Sequence, residues 1–328
     1  MHKAIFFKNS KDNKIECNLC AHNCIIKDGK RGICGVRENR NKELYSLVYG
    51  KIVAKNVDPI EKKPFYHFMP GTNTYSIGTV GCNFKCHNCQ NFDISQTKEI
   101  VGIDMTKEEV VQDAINHACS SIAYTYNEPT VFYEFMFDCA KLAKEKGISN
   151  VMVTNGYMSK EAIKRIAPYI DAVNIDLKFF KDKSYKEIAS AKLQPVLDAI
   201  KLFYDLGIHI EITTLIIPEV NDTTGELKKI AEFIKSIDSE IPWHVSAFHP
   251  MHKMLDKEQT PIKILENAFK VGKKAGLSYV YVGNVTGISE NTNCPKCNKI
   301  LIKRQGYTVF ENNIKNGKCE CGNKIYYV

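Results

Sequence analysis

Along the middle of the chain, short apolar runs rich in β-branched residues alternate with stretches whose apolar positions recur at helical spacing. The repeat is roughly 30 residues, the size of a β–α unit. Strands are predicted at Thr74–Val80, Ser121–Tyr126, Asn150–Thr154, Ala172–Leu177, His209–Ile217, Trp243–Phe248 and Tyr279–Gly283. Unbroken apolar runs of this kind suit strands covered on both faces. The intervening helices have readable starts. Thr106 with Glu109, and Thr223 with Glu226, fit a capping box. Thr260-Pro261 predicts an N-cap followed by proline in the first turn. Gly147, Gly207 and Gly276 stand at predicted helix ends. Six β–α units and a closing strand require a parallel sheet with helical crossovers. An open doubly wound sheet satisfies this pattern. A partial (β/α)6 TIM-like barrel satisfies it better, because the polar motifs follow strand ends, the face on which barrels build active sites.

The flanks break the alternation, so three regions are expected: 1–73, a cysteine-rich N-terminal extension; 74–290, the α/β core; and 291–328, a tail too poor in apolar residues to fold without a staple. The first region contains a pair of strand-like stretches, Leu44–Tyr49 and Ile52–Val57. It then continues into the proline-bounded polar connection Asp58-Pro59-Ile60-Glu61-Lys62-Lys63-Pro64. The N-terminus lacks the pattern of a signal peptide, and no apolar run approaches a membrane span, so a cytoplasmic location and no membrane contact are expected. The 328 residues carry a net charge of +8, spread over dispersed lysines, which reads as a solvated surface; nucleic acid is not the expected partner.

Cysteine changes the picture. Of 13 cysteines, two, Cys119 and Cys139, fall in helical patterns and read as small buried hydrophobes. The others form three groups: Cys17, Cys20, Cys24 and Cys34; Cys82, Cys86 and Cys89; and Cys294, Cys297, Cys319 and Cys321. In a reducing compartment such groups are metal ligands. The tail set, two short cysteine pairs, predicts a zinc ribbon. The N-terminal set suits zinc or an auxiliary iron–sulfur cluster, with His22 as an alternative ligand.

The central set has the spacing C-x3-C-x2-C and sits just after the first core strand. A four-iron cluster takes four ligands, so three cysteines leave one iron open for a small chelating molecule. A structural zinc, or a cluster completed by a distant fourth cysteine, is the competing reading of the spacing. With this motif placed after the first strand of a β/α repeat, the chain resembles the radical S-adenosylmethionine (SAM) superfamily. From about Tyr75 to Val285 it is similar to pyruvate formate-lyase activating enzymes. The resemblance implies a [4Fe-4S] cluster on Cys82, Cys86 and Cys89, and SAM as cofactor. It implies reductive cleavage of SAM to a 5′-deoxyadenosyl radical that abstracts hydrogen, with electrons from a flavodoxin- or ferredoxin-type donor. It further implies cofactor-binding roles for Asn127 and Glu128 after the second strand, Asn155 after the third, Asp176 and Lys178 after the fourth, and His249 after the sixth. Asn88 stands where an aromatic residue is usual, Val153 where activases carry a cation-site aspartate, and Thr213 where they carry an arginine.

Across its whole length the chain resembles the AmmeMemoRadiSam-system radical enzymes. This rests on Cys17-x2-Cys20-x3-Cys24, Gly32-Ile33-Cys34-Gly35-Val36-Arg37, Asp58 to Pro64, and Tyr281-Val282-Gly283-Asn284-Val285. That resemblance implies Memo-like and AMMECR-like pathway partners and names no substrate. Two other functions remain open: activation of a glycyl-radical enzyme, and, in a different class, a non-catalytic zinc protein that binds nucleic acid. No residue is assigned to catalysis; Tyr124, Tyr126 and His244 are candidates to line a pocket.

Overall fold

The protein is described here from a computed structural model covering residues 1–285 and 287–326. Eight strands form the main sheet in chain order: β1 (Ala54–Pro59), β2 (Asn73–Gly78), β3 (Ser121–Tyr124), β4 (Ser149–Thr154), β5 (Ala172–Asp176), β6 (His209–Ile216), β7 (Trp243–Ala247) and β8 (Val280–Gly283). The pairs from β2 to β8 are parallel, as the crossovers require, and β1 pairs antiparallel with β2. Six helices make the crossovers: α1 (Lys107–Asn116), α2 (Tyr133–Glu145), α3 (Lys160–Ile166), α4 (Leu193–Asp205), α5 (Thr224–Ile237) and α6 (Ile262–Ala275). Their apolar stripes and one face of the sheet, joined by N-terminal residues such as Ile15, Leu19, Val36 and Leu44, make up the largest core cluster. Both cysteines outside the metal-type groups, Cys119 and Cys139, are buried in it.

The local signals have mixed outcomes. Thr106 and Glu109 form a full capping box on α1. Thr223 accepts from the Glu226 amide, but the Glu226 carboxylate turns inward to the Phe180 amide and the Lys181 ammonium, so that box is half made. Thr260 does not cap α6. Its hydroxyl donates to the Ile216 carbonyl and accepts from the Phe248 amide, tying the ends of β6 and β7 together, and Pro261 occupies the cap. A buried hydroxyl with partners on two strands has more to lose than a cap in solvent.

Of the expected strands Leu44–Tyr49 and Ile52–Val57, the first ends at Ser46 and turns, the second is interrupted at Val53, and the two do not pair with each other. Glu43–Ser46 joins Arg37–Arg40 and His2–Lys3, whereas Ala54–Pro59 is the antiparallel edge of the main sheet. The connection Asp58 to Pro64 also proves to be more than a polar link. It begins a segment that covers the second face of the sheet, where Ile60, Phe65 and Phe68 pack on Ala123, Val151, Val153 and Ala172. The sheet is therefore buried on one side by helices and on the other by this plug.

Candidate functional site

Gly78 ends β2, and the chain then turns through Gly81 into the cysteine loop. Gly81 has φ +91°, and a Cβ there would lie 2.5 Å from Val36 Cγ1 and 2.8 Å from the Cys34 carbonyl. Only glycine fits both the conformation and the space. The loop is held by backbone bonds from Lys85 to Ala189 and from His87 to Ile188, and the Lys253 amide donates to the His87 carbonyl. Cys86 is buried, with Cys82 and Cys89 half-buried. Burial, with Glu128 and Cys86 adding, pushes the Cys82 thiol well up. Burial pushes the Cys86 thiol up to about 11, against a pull from nearby Lys178. Thiols desolvated in this way bind as thiolates when a cation is present to offset the cost.

The strand-end residues converge on this loop. Asn127 Nδ2 donates to the Gly81 carbonyl at 2.6 Å, and Tyr126 before it adopts φ +69°, a strained value for a bulky residue. Glu128 is buried beneath β3 and β4. Its Oε1 accepts from the Thr130 amide and hydroxyl and from the Thr154 hydroxyl, while Oε2 accepts a single donor, the Asn155 amide at 2.8 Å. Oε2 keeps capacity for one more donor, such as an ammonium. Asn155 Nδ2 donates to Asn83 Oδ1 at 2.7 Å, inside the cysteine loop. Asp176 and Lys178 pair at 2.7 Å; burial opposes the Lys178 charge, but Asp176 and Cys86 outweigh it and favour the ammonium. His249 is exposed and lines a cavity of about 420 Å³ that Gln90, next to Cys89, also lines.

Among the described residues, three buried amide atoms in and around the loop have no protein partner: Asn83 Nδ2, Asn88 Oδ1 and Asn127 Oδ1. Buried polar atoms are nearly always satisfied, and three orphans around three cysteines fit a site completed by a polar, metal-containing group. The residues present fit the cluster and nucleoside that the motif implies.

The flanking quartets differ from this loop and from each other. In the tail, the sulfurs of Cys294, Cys297, Cys319 and Cys321 lie within 4.8 Å of one another, a separation suited to one tetrahedral ion. The Cys321 thiol is lowered to about 7, first by the Asn323 amide. In the N-terminal region, Cys17, Cys20, Cys24 and Cys34 line one small cavity of about 20 Å³ together with Asn83 and Thr130. His22 Nε2 is bonded to the Asn83 carbonyl at 2.8 Å, which makes it a brace for the cysteine loop. Among the pocket candidates, His244 lines the 420 Å³ cavity. Tyr124 is in the core, bonded to Asn150, and Tyr126 reaches Asp58 and Asn56.

Sequence reasoning missed a buried polar network on the plug side of the sheet. Glu211 accepts from the Tyr66 and His67 amides, from His209 Nε2 at 3.0 Å and from His244 Nε2 at 2.6 Å. His67 continues to the Tyr326 carbonyl and the Tyr281 hydroxyl, then Thr292 and Arg304. The signal was present: His209, Glu211 and Thr213 alternate with Ile210 and Ile212, a polar face in an otherwise apolar strand.

Residues 76–234 match the profile of the radical SAM superfamily. An uncharacterized protein of Methanocaldococcus jannaschii is 46% identical over 332 residues, 99% of this chain and 99% of that protein. A pyruvate formate-lyase-activating enzyme of Clostridium pasteurianum is 25% identical over 209 residues, covering 60% of this chain and 86% of the enzyme. The solved structure of a radical SAM methyltransferase from Sphaerobacter thermophilus superposes with a TM-score of 0.53 at 13% identity, over 70% of this chain and 71% of that one; this likeness is one of fold.

Proposed function

We propose, from the premise that this chain belongs to the radical SAM superfamily, that Cys82, Cys86 and Cys89 hold a [4Fe-4S] cluster with one iron left open to SAM. When bound and reduced, these groups supply a 5′-deoxyadenosyl radical that removes a hydrogen atom from the substrate. The chain's own residues position them. Glu128 Oε2 takes the methionine ammonium, Lys178 takes the carboxylate while Asp176 steadies it, and Asn155 and Asn127 brace the loop. His249 stands at the outer rim. The observation that carries this reading is the set of three buried amide atoms, Asn83 Nδ2, Asn88 Oδ1 and Asn127 Oδ1, that have no partner among the described residues and lie in and around the loop of three cysteines. Superfamily membership leaves no place for a non-catalytic zinc protein.

The finer assignments are ours as well. We take the sheet to curve as a partial (β/α)6 barrel over 74–290, preceded by the cysteine-rich region 1–73 and followed by a ribbon at 291–328. The tail quartet holds zinc, and the N-terminal quartet holds zinc or an auxiliary cluster. A flavodoxin- or ferredoxin-type protein supplies electrons in the cytoplasm; among the described residues no helix is long and apolar enough to cross a membrane. The full-length motif pattern supports a place in the AmmeMemoRadiSam system, with Memo-like and AMMECR-like partners. The 25% identity to a pyruvate formate-lyase-activating enzyme supports a second reading, activation of a glycyl-radical enzyme.

Anaerobic reconstitution tests the proposal. Iron bound at the central loop, and 5′-deoxyadenosine formed from SAM with dithionite, are the expected results. Zinc in all three cysteine groups with no iron would end it.

A further inference from the structure

The 420 Å³ cavity lies where the chain after β1, the end of β8 and the tail meet. Its wall includes Gln90 beside the cysteine loop, His244 and Ser246 of β7, Tyr66 of the plug and Tyr307 of the tail. His244 is 2% exposed, and its Nε2 lies 2.6 Å from Glu211 Oε2. Glu211 has four donors aimed at it, two of them backbone amides, so it is the carboxylate and accepts throughout. The proton of a neutral His244 therefore sits on Nε2, and Nδ1 carries a bare lone pair. Among the described residues Nδ1 has no partner, although the ring is held between Tyr66 and Tyr281 at centroid distances of 4.8 and 5.3 Å. Nδ1 is not one of the fully enclosed atoms, and an acceptor without a protein donor, on a residue that lines a cavity, is a recognition point that favours a ligand bringing a donor.

We propose that this cavity is the substrate chamber and that His244 Nδ1, held by Glu211, accepts a hydrogen bond from an O–H or N–H of a small polar substrate; this rests on the function proposed above. His244 is the residue that touches the substrate, and Glu211 acts through it as a positioning residue. Size sets the class: about 420 Å³ lies in the usual range for small-molecule sites. The tail contributes Gly306 and Tyr307 to the same wall, beside Glu290 at the end of the core, so the ribbon shapes what the chamber accepts.

Two measurements on the reconstituted full chain test this. Two-bond 1H–15N spectra of histidine-labelled protein, assigned with the H244N variant, read the tautomer without any turnover. A proton on Nε2 is expected, moving to Nδ1 in the E211Q variant; a wild-type proton on Nδ1 overturns the proposal. The second measurement supplies the low-mass fraction of an extract from cells grown in heavy water, and counts deuterium delivered to 5′-deoxyadenosine per molecule of SAM cleaved. Wild type is expected to take up deuterium, and H244A and E211Q to fall about tenfold, the loss of one hydrogen bond. Uptake in H244A equal to wild type overturns the role of His244. Cleavage without uptake in wild type overturns the chamber's substrate class. No 5′-deoxyadenosine at all in wild type instead sinks the function proposed above.

Discussion

On the function proposed above, the cysteine loop after β2 and the ribbon of the tail use the same ligand atom for opposite ends. In the ribbon, four sulfurs close to within 4.8 Å, two of the cysteines are exposed, and the surrounding chain is short hairpins. In the loop, three cysteines are set into the end of a buried parallel sheet, and three neighbouring amide atoms lack partners among the described residues. A closed site spends its coordination on holding chain together, whereas an open one leaves positions for a visitor and relies on the sheet for its shape. Cysteine count alone does not separate the two; what lies unsatisfied around the cysteines does.

The sharpest break of that contrast is Cys86→Ala. Reductive cleavage of SAM is expected to fall to background, with the circular dichroism spectrum and the tail zinc content unchanged; retained cleavage would return the loop to the closed class. Cys319→Ala, or a strong chelator, is the converse. Binding of structural zinc contributes on the order of 10 kcal/mol to such modules, so new protease cuts within 291–326 are expected by mass spectrometry. The N-terminal quartet can be placed between the two by cutting what anchors it. Arg37 and Glu134 form a buried pair at 2.9 Å that also engages both polar groups of the Ile5 backbone. Glu134→Ala leaves the guanidinium uncompensated and is expected to cost about 3–5 kcal/mol in urea unfolding. A loss under about 1 kcal/mol would mean that the region docks by its metal alone.

The smallest effect is set by pH at the tail's attachment. Burial lowers the His67 pKa to about 3, so the folded form keeps it neutral. In the unfolded chain it takes up a proton below about 6.5. Stability is thus full above that value and falls as pH drops towards 3. Glu211 adds to this at lower pH: burial opposes its charge, but His209 and His244 outweigh it and hold the carboxyl below its ordinary range. Between pH 6.5 and 5.5 a loss of about 1 kcal/mol is expected from His67, and His67→Gln should flatten it.

The seven core strands, the capping box at Thr106 and the order of motifs at strand ends were legible because each is written in a few adjacent residues. A strand was legible at Ile52–Val57, but the place of Ala54–Pro59 at the sheet edge was not, since an edge strand's partner is chosen by register with β2. The plug was hidden for a related reason. Ile60, Phe65 and Phe68 are scattered among lysines and prolines, and only the sheet's second face gives them a common side. Glu211 was the largest omission. Its donors Tyr66 and His67 are 145 and 144 residues away, a distance over which local pattern says nothing.

Gly81 carries one further consequence. With Val36 and the Cys34 carbonyl filling the space a side chain would need, the cysteine loop is laid on residues that leave the ribosome before it. The loop's other fastenings, at Ile188, Ala189 and Lys253, leave the ribosome after it. The loop is therefore gripped from both directions along the chain and takes its final shape only once those later residues have arrived.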